Sequence, residues 1–294
     1  MATPVLRAAC AICLALTGLA SHHITAQTSP PQLERLTLSS KIFSNTRTIR
    51  VWLPPGYHAA EQQGHRYPVF YFTDGVAAFD ARHLDKIASE MVATGKIPPT
   101  LFVGIDNGGS TRESKNPGSD RANEYLPYPD DSLRPPLKNP HGKLFPAFLE
   151  KEVRPLIEAR YRTNGEVGLA GASYGGAIAV YTAMENPGGF KWLLIESPSL
   201  YIGDTILLRR AERFGQWPAR VYVGAGTNEG QGDAKREMVD DATRFIKAVG
   251  SSAKTCFLLI PDAVHSEDAW RARLPTALAF LLGGSPCPAG SQPN

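Results

Sequence analysis

The chain of 294 residues has little net charge, no clustered basic stripe and no metal-ligand spacing among its histidines and cysteines. A formal charge of +3 selects no partner, and dispersed lysines and arginines do not provide the basic surface that a phosphate backbone requires. No glycine-rich turn ends in the Gly-Lys-Ser sequence that cradles nucleotide phosphates. These absences argue against a nucleic-acid partner, and the sequence predicts neither a metal site nor a cofactor.

Long hydrophobic runs are also missing, except for one at the N-terminus. Arg7 precedes an apolar run from Ala8 to Leu19, and the segment ends in the small-x-small pattern Gly18-Leu19-Ala20. A run of about twelve residues is too short to cross the roughly 30 Å hydrocarbon core as a helix. The sequence therefore predicts a secretory signal peptide over residues 1–20, export to the periplasm or the medium, and no stable membrane anchor.

Only four cysteines are present, and loss of the signal peptide would leave two of them, Cys256 and Cys287. An even pair in an exported protein favours a disulfide that joins the C-terminal tail to a core strand. The alternative is a buried thiol at Cys256 and a free thiol in the tail. The remaining predicted segments are a disordered lead over residues 21–32, one folded domain over residues 33–283 and a flexible tail over residues 284–294.

Short apolar runs alternate with segments of helical periodicity from Tyr67 onward, a pattern typical of a parallel sheet covered on both faces. Two earlier strands are expected to pair antiparallel, and all later ones to be central. The predicted strands are Glu34–Ser39, Thr46–Leu53, Tyr67–Thr73, Thr100–Ile105, Glu166–Ala170, Lys191–Ile195, Arg220–Val223 and Thr255–Ile260. The predicted helices are Phe79–Thr94, Leu144–Tyr161, Ser173–Glu185, Asp233–Val249 and Glu267–Leu282. Together they predict a single α/β domain with a doubly wound, mostly parallel sheet.

One connection, from Asp106 to about Gly142, is polar, rich in proline and much longer than usual. It leaves the carboxyl end of a strand, which is the edge where α/β sheets bind ligands. We expect a cap that contacts the substrate, and the alternative is a connection without function.

A Gly-x-Ser-x-Gly motif, Gly171 to Gly175, follows one predicted strand and precedes a predicted helix. In that context the central serine lies on a sharp turn, and side chains in place of the flanking glycines would collide with the strand and the helix. The sequence thus predicts Ser173 as a nucleophile. The alternative is a structural turn with an incidental serine.

A serine nucleophile needs a base, and His265 is the candidate because it follows the last predicted strand. The other histidines lie in the lead, in an early turn, within a helix or in the long connection. The orienting acid is expected between Ser173 and His265 along the chain. Glu229, in a predicted glycine-rich loop, is the first choice, followed by Asp233 and Glu196, and a pair without a carboxylate is a further alternative.

An oxyanion formed during acyl transfer needs backbone donors. The N–H of Tyr174 is expected to supply one, and that of Gly75 or Val76 the other, while Asp74 orients their loop. Aromatic side chains near the site, Tyr125, Tyr128, Tyr174 and Tyr201, are candidates for contact with an aromatic ester.

Several blocks of the sequence resemble the Putative esterase family of α/β-hydrolases, which includes esterase D, enterochelin esterases, feruloyl esterases and mycolyltransferases. These blocks are Val51 to Tyr57, Tyr67 to Gly75, Val103 to Asp106, Arg121 with Glu124 and Tyr125, Gly171 to Gly176, Ser197 to Ser199, and His265 with Trp270, Arg271 and Leu274. The resemblance spans Leu33 to Leu282 and implies an α/β-hydrolase fold and a Ser–acid–His triad. Tyr125, Tyr201 and Arg121 are the candidate residues for substrate contact. A glutamate stands where many members carry an aspartate.

The resemblance implies a carboxylic ester hydrolase acting on a small-molecule ester, and its enterochelin-esterase-like branch points to a siderophore ester. An aromatic acyl ester is a second candidate substrate. Two other functions use the same fold: an acyltransferase with the same acyl-enzyme, and an inactive hydrolase that binds a ligand.

Overall fold

The computed structural model of the chain describes residue 1, residues 30–230 and residues 233–288, without the side chains of residues 233–236. The predicted signal peptide and disordered lead therefore lie outside the described residues, apart from Met1 and residues 30–32. Among the helices in the described part of the chain, none is long and apolar enough to span a membrane.

In the part of the chain that the structure describes, eight strands form one sheet in the order β1-β2-β4-β3-β5-β6-β7-β8. Strands β1 and β2 pair antiparallel, as predicted, and β2 is also antiparallel to β4. All the other neighbouring pairs are parallel. The strands are β1 Gln32–Ser40, β2 Asn45–Leu53, β3 Tyr67–Thr73, β4 Leu101–Ile105, β5 Thr163–Ala172, β6 Trp192–Glu196, β7 Arg220–Asn228 and β8 Lys254–Val264.

Helices cover both faces of this sheet, because the central strands β3 to β6 are apolar on both faces and must be buried on both. The helices are α1 Leu84–Ala93, α2 Pro117–Tyr125, α3 Phe145–Phe148, α4 Arg154–Glu158, α5 Tyr174–Glu185, α6 Ile206–Ala211, α7 Asp233–Val249 and α8 Glu267–Leu281. Short π-helical segments are Ala77–Ala81 and Leu149–Val153, the latter joining α3 to α4. Apolar side chains of α1 and α8 pack on one face, and those of α2 to α7 on the other.

The predicted single α/β domain with a mostly parallel sheet is confirmed, but several elements differ from the sequence prediction. The predicted helix Phe79–Thr94 is interrupted, because His83 adopts a left-handed conformation with φ of 53°. The prediction that Thr255–Ile260 is a central strand is wrong, because this segment belongs to β8, which lies at the edge of the sheet. The long connection from residue 106 contains helix α2, which the sequence analysis did not predict.

The two cysteines form the predicted bridge. Cys256 in β8 is bonded to Cys287, with a Cα–Cα distance of 5.3 Å. The described part of the tail, residues 284–288, is therefore linked covalently to the edge strand, and the alternative of two free thiols is wrong.

Candidate active site

Ser173 lies on a sharp turn between β5 and α5. Its φ of 58° and ψ of −125° belong to a region that residues with a side chain rarely adopt, so the surrounding structure must hold the turn. A Cβ at Gly171 would lie 1.9 Å from the carbonyl oxygen of Gly175, and a Cβ at Gly175 would lie 2.4 Å from Thr73 Oγ1. The two glycines of the motif are thus required by close packing, as the sequence analysis expected.

The carboxyl ends of β3, β5 and β8 deliver their following residues to one cavity of about 630 Å³. Ser173 and His265 both line it, together with Val76, Asn107 and Arg121. The long connection after β4 therefore reaches the cavity through Asn107 and through Arg121 of α2.

His265 directly follows β8, and its Nδ1 lies 3.3 Å from Glu229 Oε2. The imidazole and the ring of Trp270 are nearly perpendicular, at 86°, with 4.9 Å between ring centroids. Among the acids considered from the sequence whose side chains are described, Glu196 and Glu229, it is Glu229 that lies beside His265.

The glycine-rich segment before Glu229 is strand rather than loop, since β7 continues to Asn228. The glycines are needed because the backbones of β7 and β8 approach closely: a Cβ at Gly226 would lie 2.2 Å from the carbonyl oxygen of Ala263. Glu229 thus emerges from the end of a sheet strand, and its side chain is almost fully buried.

Of the two other candidate acids, only Glu196 has a described side chain, and no contact with His265 is found for it among the described residues. Asp233 is the first residue of α7, and its side chain lies outside the described residues. Glu196 ends β6, and its Oε2 lies 2.7 Å from Arg273 Nη2. Burial raises the pKa of Glu196 to about 7, although Arg273 opposes this shift.

The predicted oxyanion donors lie at two helix starts beside Ser173. Tyr174 is the first residue of α5, where a backbone N–H has no partner within the helix. Gly75 is pressed against β4, since a Cβ there would lie 2.7 Å from the carbonyl carbon of Gly104. Val76, the next residue, lines the cavity.

The profile of the family described as Putative esterase matches residues 40–281 of the chain. The chain belongs to this esterase family. It is 23% identical over 253 residues to the uncharacterized protein YbbA of Bacillus subtilis strain 168, covering 82% of this chain and 94% of YbbA.

Solved structures of esterases share the fold of this family member. The IroE-like serine hydrolase of Shewanella oneidensis superposes with a TM-score of 0.70 at 23% identity, covering 86% of this chain and 80% of the other. The siderophore hydrolase EstA of Aspergillus nidulans superposes with a TM-score of 0.69 at 20% identity, covering 88% and 96%. The family and these relatives together support a carboxylic ester hydrolase with an α/β-hydrolase fold.

In this esterase Asp74 connects the loop after β3 to α2. Its carboxylate accepts hydrogen bonds from Arg121 Nε and Nη2, each at 2.7 Å, and from Asn107 Nδ2 at 2.6 Å. Its backbone N–H donates to the hydroxyl of Tyr125 at 2.9 Å. These contacts agree with the expectation that Asp74 orients the loop of Gly75 and Val76.

The tyrosines expected at the substrate site of the esterase occupy other positions. Tyr125 is fully buried, so its ring cannot contact a substrate in this arrangement, and its hydroxyl instead holds Asp74. Tyr201 and Tyr174 line two different cavities of about 470 and 600 Å³. Tyr128 accepts a hydrogen bond from Arg210 at 2.6 Å. Of the three residues assigned to substrate contact, only Arg121 lines the cavity of Ser173.

Three further residues of the site make contacts that no sequence motif predicts. Ser197 donates a hydrogen bond to Glu229, and Trp270 and Arg273 both donate to Ser197. Ser197 and Trp270 belong to blocks that resemble the family, but a sequence block does not show which atoms meet. These contacts could not be predicted from the sequence, because they depend on the positions of the side chains.

Proposed function

We propose that this ester hydrolase uses Ser173 as nucleophile, His265 as general base and Glu229 as the acid that orients His265. One observation carries the proposal: a serine on a strained strand-to-helix turn shares a cavity with a histidine whose Nδ1 faces a buried carboxylate. A serine hydroxyl needs such a base at neutral pH, and the base needs a partner that fixes its tautomer.

In the proposed reaction Ser173 Oγ attacks the ester carbonyl carbon while His265 Nε2 accepts the hydroxyl proton. The tetrahedral intermediate then collapses, the alcohol leaves with the proton from His265, and an acyl-enzyme remains on Ser173. Water attacks the acyl carbon in the second half, His265 accepts a proton from it, and the acid product leaves as Ser173 regains its proton.

The negative charge that develops on the carbonyl oxygen requires donors fixed before the reaction. The proposed donors are the N–H of Tyr174 and that of Gly75 or Val76. The Asp74 carboxylate does not enter the chemistry in this proposal, because Arg121 and Asn107 already occupy it.

For the substrate we propose an ester of the siderophore type. Among similar proteins are the siderophore hydrolase EstA and a siderophore triacetylfusarinine C esterase of Aspergillus fumigatus, which is 26% identical over 153 residues covering 50% of this chain and 49% of that protein. Ester hydrolysis is favoured over acyl transfer and over a purely binding role, since these relatives are esterases.

The nucleophile is tested by hydrolysis of a short-chain p-nitrophenyl ester, compared between the protein, Ser173→Ala and Ser199→Ala. Ser199 is the matched control, because it is buried and its Oγ lies 3.4 Å from Ser173 Oγ. We expect Ser173→Ala to lose at least about a thousandfold in kcat, and Ser199→Ala to lose less than about tenfold. A Ser173→Ala variant that still hydrolyses the ester and reacts with a fluorophosphonate would contradict the proposal.

We also propose that the chain is exported after cleavage near Ala20. The apolar N-terminal segment and the bridge between Cys256 and Cys287 support this, because disulfides persist in oxidising compartments. Mass spectrometry of the protein from its natural host measures the N-terminus, and a mature chain that retains Met1 would contradict export by this signal.

A further inference from the structure

The hydroxyl of Ser197 is buried at the centre of a group of charged and aromatic side chains. Ser197 follows β6, is 1% exposed and has a left-handed φ of 45°. Its Oγ receives hydrogen bonds from Trp270 Nε1 at 2.8 Å and from Arg273 Nη2 at 3.2 Å. It lies 2.6 Å from Glu229 Oε1.

The direction of the Ser197 hydroxyl proton follows from these partners. A serine hydroxyl has one proton to donate and two lone pairs to accept with, whereas indole N–H and guanidinium groups only donate. Trp270 and Arg273 therefore occupy both lone pairs, and the proton of Ser197 is left for Glu229.

Both donors to Ser197 come from one face of α8, because Trp270 and Arg273 are three residues apart in a helix. Arg273 cannot turn away, since its Nε also donates to Glu196 Oε2 at 2.8 Å. The hydroxyl is thus oriented by side chains that are themselves held in place.

The carboxylate of Glu229 has two unequal oxygens as a result. Oε1 accepts from the Ser197 hydroxyl and from the N–H of Gly226, each at 2.6 Å. Oε2 faces His265 Nδ1. With Oε1 occupied, the carboxylate presents Oε2 to the imidazole, which favours the tautomer with a proton on Nδ1 and a free lone pair on Nε2.

We propose that Ser197 is a positioning residue for the reaction: its hydroxyl, oriented by Trp270 and Arg273, fixes Glu229 and through it the tautomer of His265. The inference rests on the proposed function, because it assigns Ser197 to the same triad. Ser197 itself touches neither the substrate nor the reacting atoms in this assignment.

The first test replaces Ser197 by alanine and by glycine. Glycine keeps the left-handed backbone without strain and removes only the side chain, so it remains informative if the alanine variant folds poorly. We expect Ser197→Gly to lower kcat by about tenfold to a hundredfold with KM unchanged, because a hydrogen bond to a charged group is lost.

Ser40→Ala is the matched control. Ser40 is also buried, and its hydroxyl also donates to a glutamate, Glu152 Oε2, at 2.6 Å. That contact lies on the edge strand β1, away from the cavity. Ser40→Ala should leave kcat unchanged, and an equal loss of kcat in Ser40→Ala and Ser197→Gly would overturn the inference.

A double-mutant cycle with Glu229→Gln decides whether Ser197 acts through Glu229. We expect Glu229→Gln to lower kcat by at least about a hundredfold, and Ser197→Gly in that background to cost less than about twofold more. If Glu229→Gln lowers kcat and Ser197→Gly costs the same in both backgrounds, or nothing in either, only the inference on Ser197 fails. If Glu229→Gln keeps full kcat, the proposed acid fails and the inference fails with it.

Discussion

Arg273 lies between two buried carboxylates and is closer to one than to the other. It contacts Glu196 closely, at 2.7 Å, whereas its distance to Glu229 Oε1 is 3.6 Å. Glu229 has the Ser197 hydroxyl and the Gly226 N–H as further donors. The pKa of Glu196 is raised to about 7: burial raises it most, Arg273 lowers it, and the nearby Glu229 raises it. Glu196 therefore changes charge near neutral pH.

This raised pKa predicts a dependence of stability on pH. The ordinary value is 4.5, so between pH 4.5 and about 7 the folded protein holds a proton on Glu196 that the unfolded chain releases. The contribution of Glu196 to the free energy of unfolding is therefore largest at low pH and falls as the pH rises through this window. The fall is at most about 3 kcal/mol.

Glu196→Gln removes this contribution and keeps an acceptor for Arg273. Urea unfolding of both proteins at about pH 5 and about pH 8 measures the effect. We expect the free energy of unfolding of the unmodified protein, relative to Glu196→Gln, to be lower at the higher pH. A difference between the two proteins that is the same at both pH values would contradict the raised pKa.

A buried hydroxyl is one of the contacts that join helix α2 to the sheet. The hydroxyl of Tyr125, the last residue of α2, accepts the backbone N–H of Asp74, directly before Gly75 and Val76. The position of the proposed oxyanion donors thus depends on an element that lies about fifty residues further along the chain.

Tyr125→Phe should lower both stability and activity. The buried N–H of Asp74 would lose its acceptor, at a cost of about 1–3 kcal/mol in the free energy of unfolding. We expect kcat to fall by about tenfold as the donor loop loosens. Steady-state kinetics with urea unfolding measures both quantities.

Tyr57→Phe is the matched control for this change. The Tyr57 hydroxyl accepts the backbone N–H of Arg162 at 3.0 Å, at the opposite edge of the sheet, beside the starts of β3 and β5. Tyr57→Phe should lower the free energy of unfolding by a similar amount and leave kcat unchanged. If the two variants lower kcat equally, the effect of Tyr125 is one of global stability alone.

The sequence predicted the elements whose signals are local. The strand before Ser173 and the position of His265 followed from short apolar runs and a glycine motif, and both are found in the fold. Helix α2 was not predicted because only a few of its residues are buried and apolar. Its sequence therefore lacks the helical periodicity of apolar residues.

Other features depended on contacts between distant segments. The glycines near the end of β7 predicted a loop. They instead allow the backbone of β8 to approach closely. The burial of Tyr125 and the contacts of Ser197 required knowledge of which segments pack together. Sequence patterns do not report such packing, because they describe neighbours along the chain and not in space.

At the scale of the whole molecule, the bridge between Cys256 and Cys287 closes a loop with a separation of 31 residues that includes α8. A cross-link of this length restricts the unfolded chain and stabilises a protein by about 2–4 kcal/mol. The helix that carries Trp270 and Arg273 is therefore held to the edge strand at both of its ends.

Reduction of the bridge should lower the free energy of unfolding by about 2–4 kcal/mol and leave the activity at 25 °C unchanged, because neither cysteine lines the cavity of Ser173. Urea unfolding with and without dithiothreitol measures this. The variant Cys256→Ala with Cys287→Ala is the control and should not respond to the reductant. An equal response of the variant would show that the reductant acts elsewhere.

Within residues 30–288, outside the gap at 231–232, strand β8 is both the last strand in sequence and the outermost strand on its side of the sheet. Among the described strands it pairs with β7 alone, and His265 follows it directly. A chain that has folded its first seven strands would hold Ser173 near its final position and still lack the proposed base, His265. Recovery of activity during refolding would therefore follow the addition of strand β8. Hydrolytic activity would then measure the completion of folding.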